Sequence, residues 1–250
     1  MRNIMRNILI GTCGFPTARS RYYSLFKVVE LQETFYDLPT PERMSSLRRE
    51  APADFQFAVK VFQGLTHTSD SPTWRRIRRA RLTGDLGNYG LLRPTRENLE
   101  LWNEFVNVTK PLNPVFYVFQ TPPSMEVTED SVRDVVEFFR TIGGGDRIGW
   151  EPRGVSYNNV NLLKRIFEEV GIVHVVDPFK HEVLIPHDIT YFRLHGIGKG
   201  EVNYSYKYTD DDLGRLKAIV DGIESSTVYV MFNNAHMLDD ALRFTKLIGR

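Results

Sequence analysis

Apolar and polar residues alternate in eight short runs spread over the whole chain. They are ILIG (8–11), VVELQETF (28–35), FQFAVKV (55–61), VFYVFQ (115–120), RIGWE (147–151), IVHVVD (172–177), TYFRLH (190–195) and VYVMFN (228–233). A period of two in β-branched and aromatic residues marks a strand, and most of these runs lead into a stretch with helical start signals. Thr40-Pro41 is an N-cap followed by proline at the first helical position. Thr128-Glu129-Asp130 opens a helix through Phe139, with acids at the positive end of its dipole. Thr209, followed by Asp210, Asp211 and Asp212, opens another through Ile223; that acidic triplet reads as a capped helix start rather than a metal site.

Eight strands alternating with helices in 250 residues predict a (β/α)8 barrel, a TIM barrel, in the α/β class. A doubly wound open sheet is the competing architecture, because residues 178–189 between the sixth and seventh strands are too few for a full helix. No linker or shift of composition divides the chain, so residues 1–250 read as one domain. One connection is outsized: residues 62–114, after the third strand. Residues 74–96 within it hold seven arginines and one aspartate.

The alternation also assigns faces. With Phe192 and Leu194 toward the helices, Tyr191, Arg193 and His195 face the barrel interior. By the same rule Glu30, Gln32 and Thr34 face inward, as do Lys60, Glu151 and Arg153, while Gln120, Asp177, Asn233 and Asn234 end their strands. A charged group inside a barrel is costly unless it is paired or serves a ligand. The polar residues gather at the carboxyl ends of the strands, where barrel enzymes build their sites. A closed ion-pair network that only holds the barrel together is the other reading.

Composition narrows the class. A net charge of +1 gives no global attraction to nucleic acid or an anionic membrane. One cysteine, Cys13, excludes an internal disulfide framework. Without an apolar run of about 18 residues or a signal-peptide pattern, the expectation is a cytoplasmic protein with no membrane span. The opening MRNIMRNI repeats four residues, so Met1 and Met5 are both candidate starts.

The stretches GTCGF (11–15), VELQETFYDLP (29–39), FQFAVKVFQGLTH (55–67), FQTPPS (119–124), WEPRG (150–154), YFRLHG (191–196) and VYVMFNN (228–234) resemble the YecE-like family, domain of unknown function 72. The resemblance covers nearly the whole chain, with members of archaeal type closest, and implies a TIM barrel but no established reaction. The family typically carries serine at the position of Cys13, which argues against that thiol as a nucleophile. Asparagine and serine are its commoner residues at Gln32 and Glu33.

Function is therefore read from the residues. Lys60, Arg153 and Arg193 suit a phosphate or carboxylate, arginine as a bidentate fork and lysine as a point charge. Glu151, Asp177 and His195 are candidates to move protons, with Lys60 as a base or imine-forming amine. Glu30, Gln32, Thr34, Tyr36, His67, Gln120, Tyr204, Asn233 and Asn234 complete the expected ligand-binding set. Glu30, Glu151, Asp177 and His195 could instead hold a divalent metal, the candidate cofactor, although no HxH or HExxH spacing is present. His174, His181, His187 and His236 read as surface or packing residues. Arg75, Arg76, Arg78, Arg79 and Arg81, placed on a helix around Trp74 and Ile77, could track a phosphate backbone. The expectation is an enzyme acting on an anionic, phosphate-bearing substrate by phosphoesterase-like acid–base hydrolysis, with nucleic acid as a candidate polymer in the manner of endonuclease IV-type nucleases. The alternatives are a sugar-phosphate isomerase or lyase and a non-catalytic nucleic-acid-binding protein.

Overall fold

A computed structural model describes residues 6–198 and 200–249; the choice between Met1 and Met5 lies outside them. The elements are β1 (Asn7–Cys13), α1 (Arg19–Leu25), β2 (Val28–Leu31), α2 (Glu33–Tyr36), α3 (Pro41–Glu50), β3 (Gln56–Lys60), α4 (Arg96–Thr109), β4 (Phe116–Gln120), α5 (Glu129–Thr141), β5 (Ile148–Glu151), α6 (Val160–Val170), β6 (Val173–Val176), β7 (Ile189–Leu194), α7 (Asp210–Gly222), β8 (Thr227–Phe232) and α8 (Met237–Leu247). Every neighbouring pair of strands is parallel, and β1 closes on β8 from Asn7 opposite Thr227 to Thr12 opposite Phe232. The sheet is a closed barrel of eight strands in one domain, and the open sheet is excluded.

The start signals act as read. Thr40, Thr128 and Thr209 each accept a hydrogen bond from the third residue of the helix they precede, a cap that contributes about 1 kcal/mol. Asp212 completes the last of these by accepting from the Thr209 amide, so the acidic triplet is a helix start. No helix follows β6, as its short connection implies. His174 on β6 organises that connection instead: its Nδ1 accepts from the Leu184 amide at 3.1 Å and its Nε2 meets the Tyr157 hydroxyl at 3.0 Å.

Two expectations fail locally. The second strand stops at Leu31, and residues 33–36 curl into the single turn α2. The arginine-rich segment is not an α-helix: Pro72–Arg76 form a tight 3-10 turn and irregular chain follows. Its apolar residues make no helical stripe, so no face of a helix could be buried.

Side chains sort as the pleat dictates. Val29, Leu31, Phe57, Val59, Ile148, Trp150, Phe192 and Leu194 pack outward against the helices. Val28, Ala58, Val118, Val175 and Met231 fill the interior. Near its centre the Phe116 ring stacks on Tyr191 at 4.8 Å, and Tyr191 on Tyr229 at 5.2 Å. Gly149 makes room for this plug, since a Cβ there would lie 2.7 Å from the Phe116 ring. No helix among the described residues is long and apolar enough to cross a membrane.

Candidate functional site

Above the aromatic plug, the strand ends bring together the side chains that alternation assigned inward. Arg193 on β7 is fully buried and donates from Nε and Nη2 to the two oxygens of Glu30 on β2, at 3.1 and 2.8 Å. Its Nη1 bonds Glu151 Oε2 on β5. The Tyr191 hydroxyl adds a third donor to Glu30 at 2.9 Å, and the Gln32 amide a fourth. Arg153 grips the other oxygen of Glu151 from Nε at 3.0 Å and Nη2 at 2.9 Å. Two carboxylates and two guanidiniums thus satisfy one another across the barrel. A bidentate fork suits that role better than an ammonium would.

Electrostatics follow from this pairing. Burial alone would raise the Glu151 carboxyl, but Arg153 and Arg193 outweigh it and hold the group well below its ordinary value. For Arg193, burial opposes the charge while Glu151 and Glu30 reinforce it, so it stays protonated. Burial lowers His195 to about 3, and the ring is neutral at pH 7. Asn233 Nδ2 lies 3.1 Å from His195 Nδ1 and Glu151 Oε1 lies 2.8 Å from Nε2. The consistent assignment has Asn233 donating to Nδ1 and the Nε2 hydrogen donating to Glu151, a hydrogen bond rather than an ion pair. The Arg153 Nη2 contact with the same nitrogen, at 2.9 Å, is then a close approach only.

Lys60 stands apart. It ends β3, is 8% exposed, and places its ammonium 3.8 Å from the centre of the Phe35 ring. No described residue forms an ion pair with it or accepts a hydrogen bond from it, because Glu30 and Glu151 are already committed to arginines. Burial, with Arg193 and Arg153 nearby, lowers its pKa to about 7. His67 is buried against Phe35, and burial together with Lys60 and Arg153 lowers it to about 3. Asp177, just past β6, accepts from the amides of His195 and Phe179, yet burial raises it to about 6.

Other expected residues are engaged elsewhere. Thr34 is on a helical turn, not a strand, and its hydroxyl donates to the Lys60 carbonyl at 2.7 Å. Gln120 donates to the Thr121 carbonyl. Asn234 points away from the mouth, bonding the Tyr206 carbonyl and Asp240 at 2.7 Å each. Tyr208 is buried with its hydroxyl on the Gly196 amide, and Tyr206 bonds Asp212, so of the three alternating tyrosines only Tyr204 is exposed, its ring edge-on to His195. Arg193, expected to hold an anion, has both sides of its fork saturated by carboxylates. Among the described residues no group of three or more His, Cys, Asp or Glu side chains could hold a metal ion. Glu30, Glu151, Asp177 and His195 therefore do not form the metal site their strand positions suggested. Cys13 is buried, with its thiol pushed far up by burial and by Glu30.

The arginine segment sits on the rim of the same face. Trp74 Nε1 donates to the His67 carbonyl, and buried Gln63 bridges the carbonyls of Tyr36 and Thr73. Asp37, next to α2, accepts from the backbone amides of Arg79 and Ala80 at 3.0–3.2 Å. Arg76 lies over the Tyr36 ring at 4.4 Å. Sequence reasoning missed Asp37 and Gln63. An acid directly after Tyr36, a candidate ligand-binding residue, was the available signal for Asp37, and none existed for Gln63.

A closed parallel barrel with its titratable groups gathered over the strand carboxyl ends defines a TIM-barrel protein. Residues 16–250 match the family described as protein of unknown function DUF72, and the chain belongs to that family. It is similar to a crystal structure of a DUF72 family protein from Enterococcus faecalis, with a TM-score of 0.72 and 19% identity over 99% of this chain and 100% of that one. A DUF72 family protein from Thermotoga maritima aligns with a TM-score of 0.67 and 21% identity, over 98% and 100% of the two chains. At these identities the likeness is one of fold. No match is found among the curated proteins.

Proposed function

We propose that the barrel mouth is the active site of an enzyme acting on an anionic, phosphate-bearing substrate. One observation carries this reading: Lys60 is a largely buried lysine whose ammonium has no carboxylate partner, beside a network whose carboxylates are all spent. An unpaired buried cation is costly, and an incoming anion relieves that cost. Arg153, at the solvent side of the network, supplies a second positive group. Lys60 and Asp177 titrate to about 7 and about 6. Two groups near neutrality are what acid–base hydrolysis of a phosphoester needs.

Calorimetry with inorganic phosphate and a panel of phosphomonoesters, on the wild type and Lys60→Met, tests the proposal. Binding to the wild type that weakens at least tenfold in the variant supports it, as does phosphate release lost with the same change. Equal binding by both proteins overturns it. A second reading, carbonyl chemistry on a sugar phosphate, draws on the same lysine becoming a neutral amine near pH 7. Borohydride trapping of a small carbonyl compound on Lys60 would favour that reading over hydrolysis.

A further inference from the structure

We propose that the irregular arginine segment at residues 75–81 is a phosphate-tracking rim that binds single-stranded nucleic acid and leads it to the barrel mouth. The inference rests on the reading of the mouth as a phosphate site and deepens it: the phosphate belongs to a polymer. Five arginines, Arg75, Arg76, Arg78, Arg79 and Arg81, fall within seven residues and all are exposed. Only Arg79 meets a carboxylate, Asp37 at 3.7 Å. Arg78 reaches the backbone carbonyls of Arg75 and Ile77, and the side chains of Arg75 and Arg81 make no polar contact with a described residue. A solvated charged face would ordinarily mix both signs. Here five of the chain's 32 lysines and arginines fall within one seven-residue stretch that holds no acid.

The loop's placement is specific. Asp37, Gln63 and Trp74 tie it to α2 and to His67, which borders Lys60. Trp74 is held against Tyr89 and the His67 carbonyl, so it anchors the loop and is not a stacking surface. The free aromatic ring is Tyr204, 48% exposed and next to His195 at the mouth. Phosphates on the rim and a base on Tyr204 are the two elements of sequence-independent strand binding. A segment that is neither a regular helix nor a ribbon does not fit the major groove of a duplex.

Fluorescence anisotropy tests this with a labelled single strand of about a dozen nucleotides, within the span such grooves cover. The proteins are the wild type, Arg75→Gln/Arg78→Gln/Arg81→Gln, and the matching triple lysine variant. Each lost phosphate contact lowers the slope of log affinity against log salt by about 0.7, so the glutamine variant should lose about 2 in slope and about a hundredfold in affinity at 0.1 M salt. The lysine variant should keep both, which separates lost charge from lost folding. An unchanged slope in the glutamine variant overturns the proposal. So does equally tight binding of the same sequence as a duplex, or of polyglutamate. Inorganic phosphate titrated in parallel into Lys60→Met reports the mouth alone, so failure of the rim and failure of the mouth give different results.

Discussion

Replacing Lys60 by methionine changes how stability depends on pH, and the size of the effect follows from the burial of the ammonium. In the unfolded chain the lysine holds its proton up to its ordinary value of 10.5, whereas in the barrel it releases it at about 7. Between those values the unfolded state carries more protons, so raising the pH favours folding. Integrated from pH 7 to pH 9, the difference is about 2 kcal/mol, a sizeable part of the 5–15 kcal/mol typical of a folded domain. Cys13, kept protonated by burial, opposes this trend as the pH approaches its ordinary value of 9.0, but it does so equally in both proteins, and buried His67 and His195 titrate below the window. Urea unfolding of wild type and Lys60→Met at pH 7, 8 and 9 reads the effect directly. The wild type should gain about 2 kcal/mol relative to the variant, and saturating phosphate should remove most of that gain by keeping the lysine charged. Parallel stability curves for the two proteins would refute the reasoning, because the ammonium would then be charged throughout and not destabilised by its site.

Two further changes probe the network and the rim. Arg193→Met removes the cation shared by Glu30 and Glu151 and leaves both carboxylates buried, at a cost of about 3–5 kcal/mol. Thermal unfolding should show that loss, and partial recovery in Arg193→Met/Glu30→Gln; a melting point close to wild type for the single variant would contradict the pairing. Asp37→Ala unties the two amides that hold the arginine loop, costing about 1–3 kcal/mol locally. Trypsin should then cut within 75–81 markedly faster while the barrel stays intact, and an unaltered cleavage rate would deny Asp37 its anchoring role.

The pleat was legible wherever a strand continued straight. Glu30, Lys60, Glu151, Arg193 and His195 lie on the predicted side because a period of two leaves no choice once the apolar face is known. Thr34 escaped the rule because the chain leaves the sheet at Leu31, although Gln32 just beyond it still reaches Glu30, and alternation through Phe35 reads equally well as the start of a helical turn. Partners were not legible. Arg193 and Glu30 are 163 residues apart, and nothing local states that arginines would claim both carboxylates and leave the lysine alone. The same limit hid the fate of Asn234, whose neighbour Asn233 does reach His195. Position along a strand gives a direction, and competition among donors decides which group remains available.

The stacked rings of Phe116, Tyr191 and Tyr229 fill the barrel, so nothing passes along its axis. On the proposed reading, a substrate bound above Lys60 would leave by the side it entered, so a departing product and the next substrate would compete for one passage. A long strand could then not be threaded through the barrel. Only its terminus, or a nucleotide turned outward from its middle, could reach the lysine, and cleavage patterns on end-blocked and circular strands would tell those two habits apart.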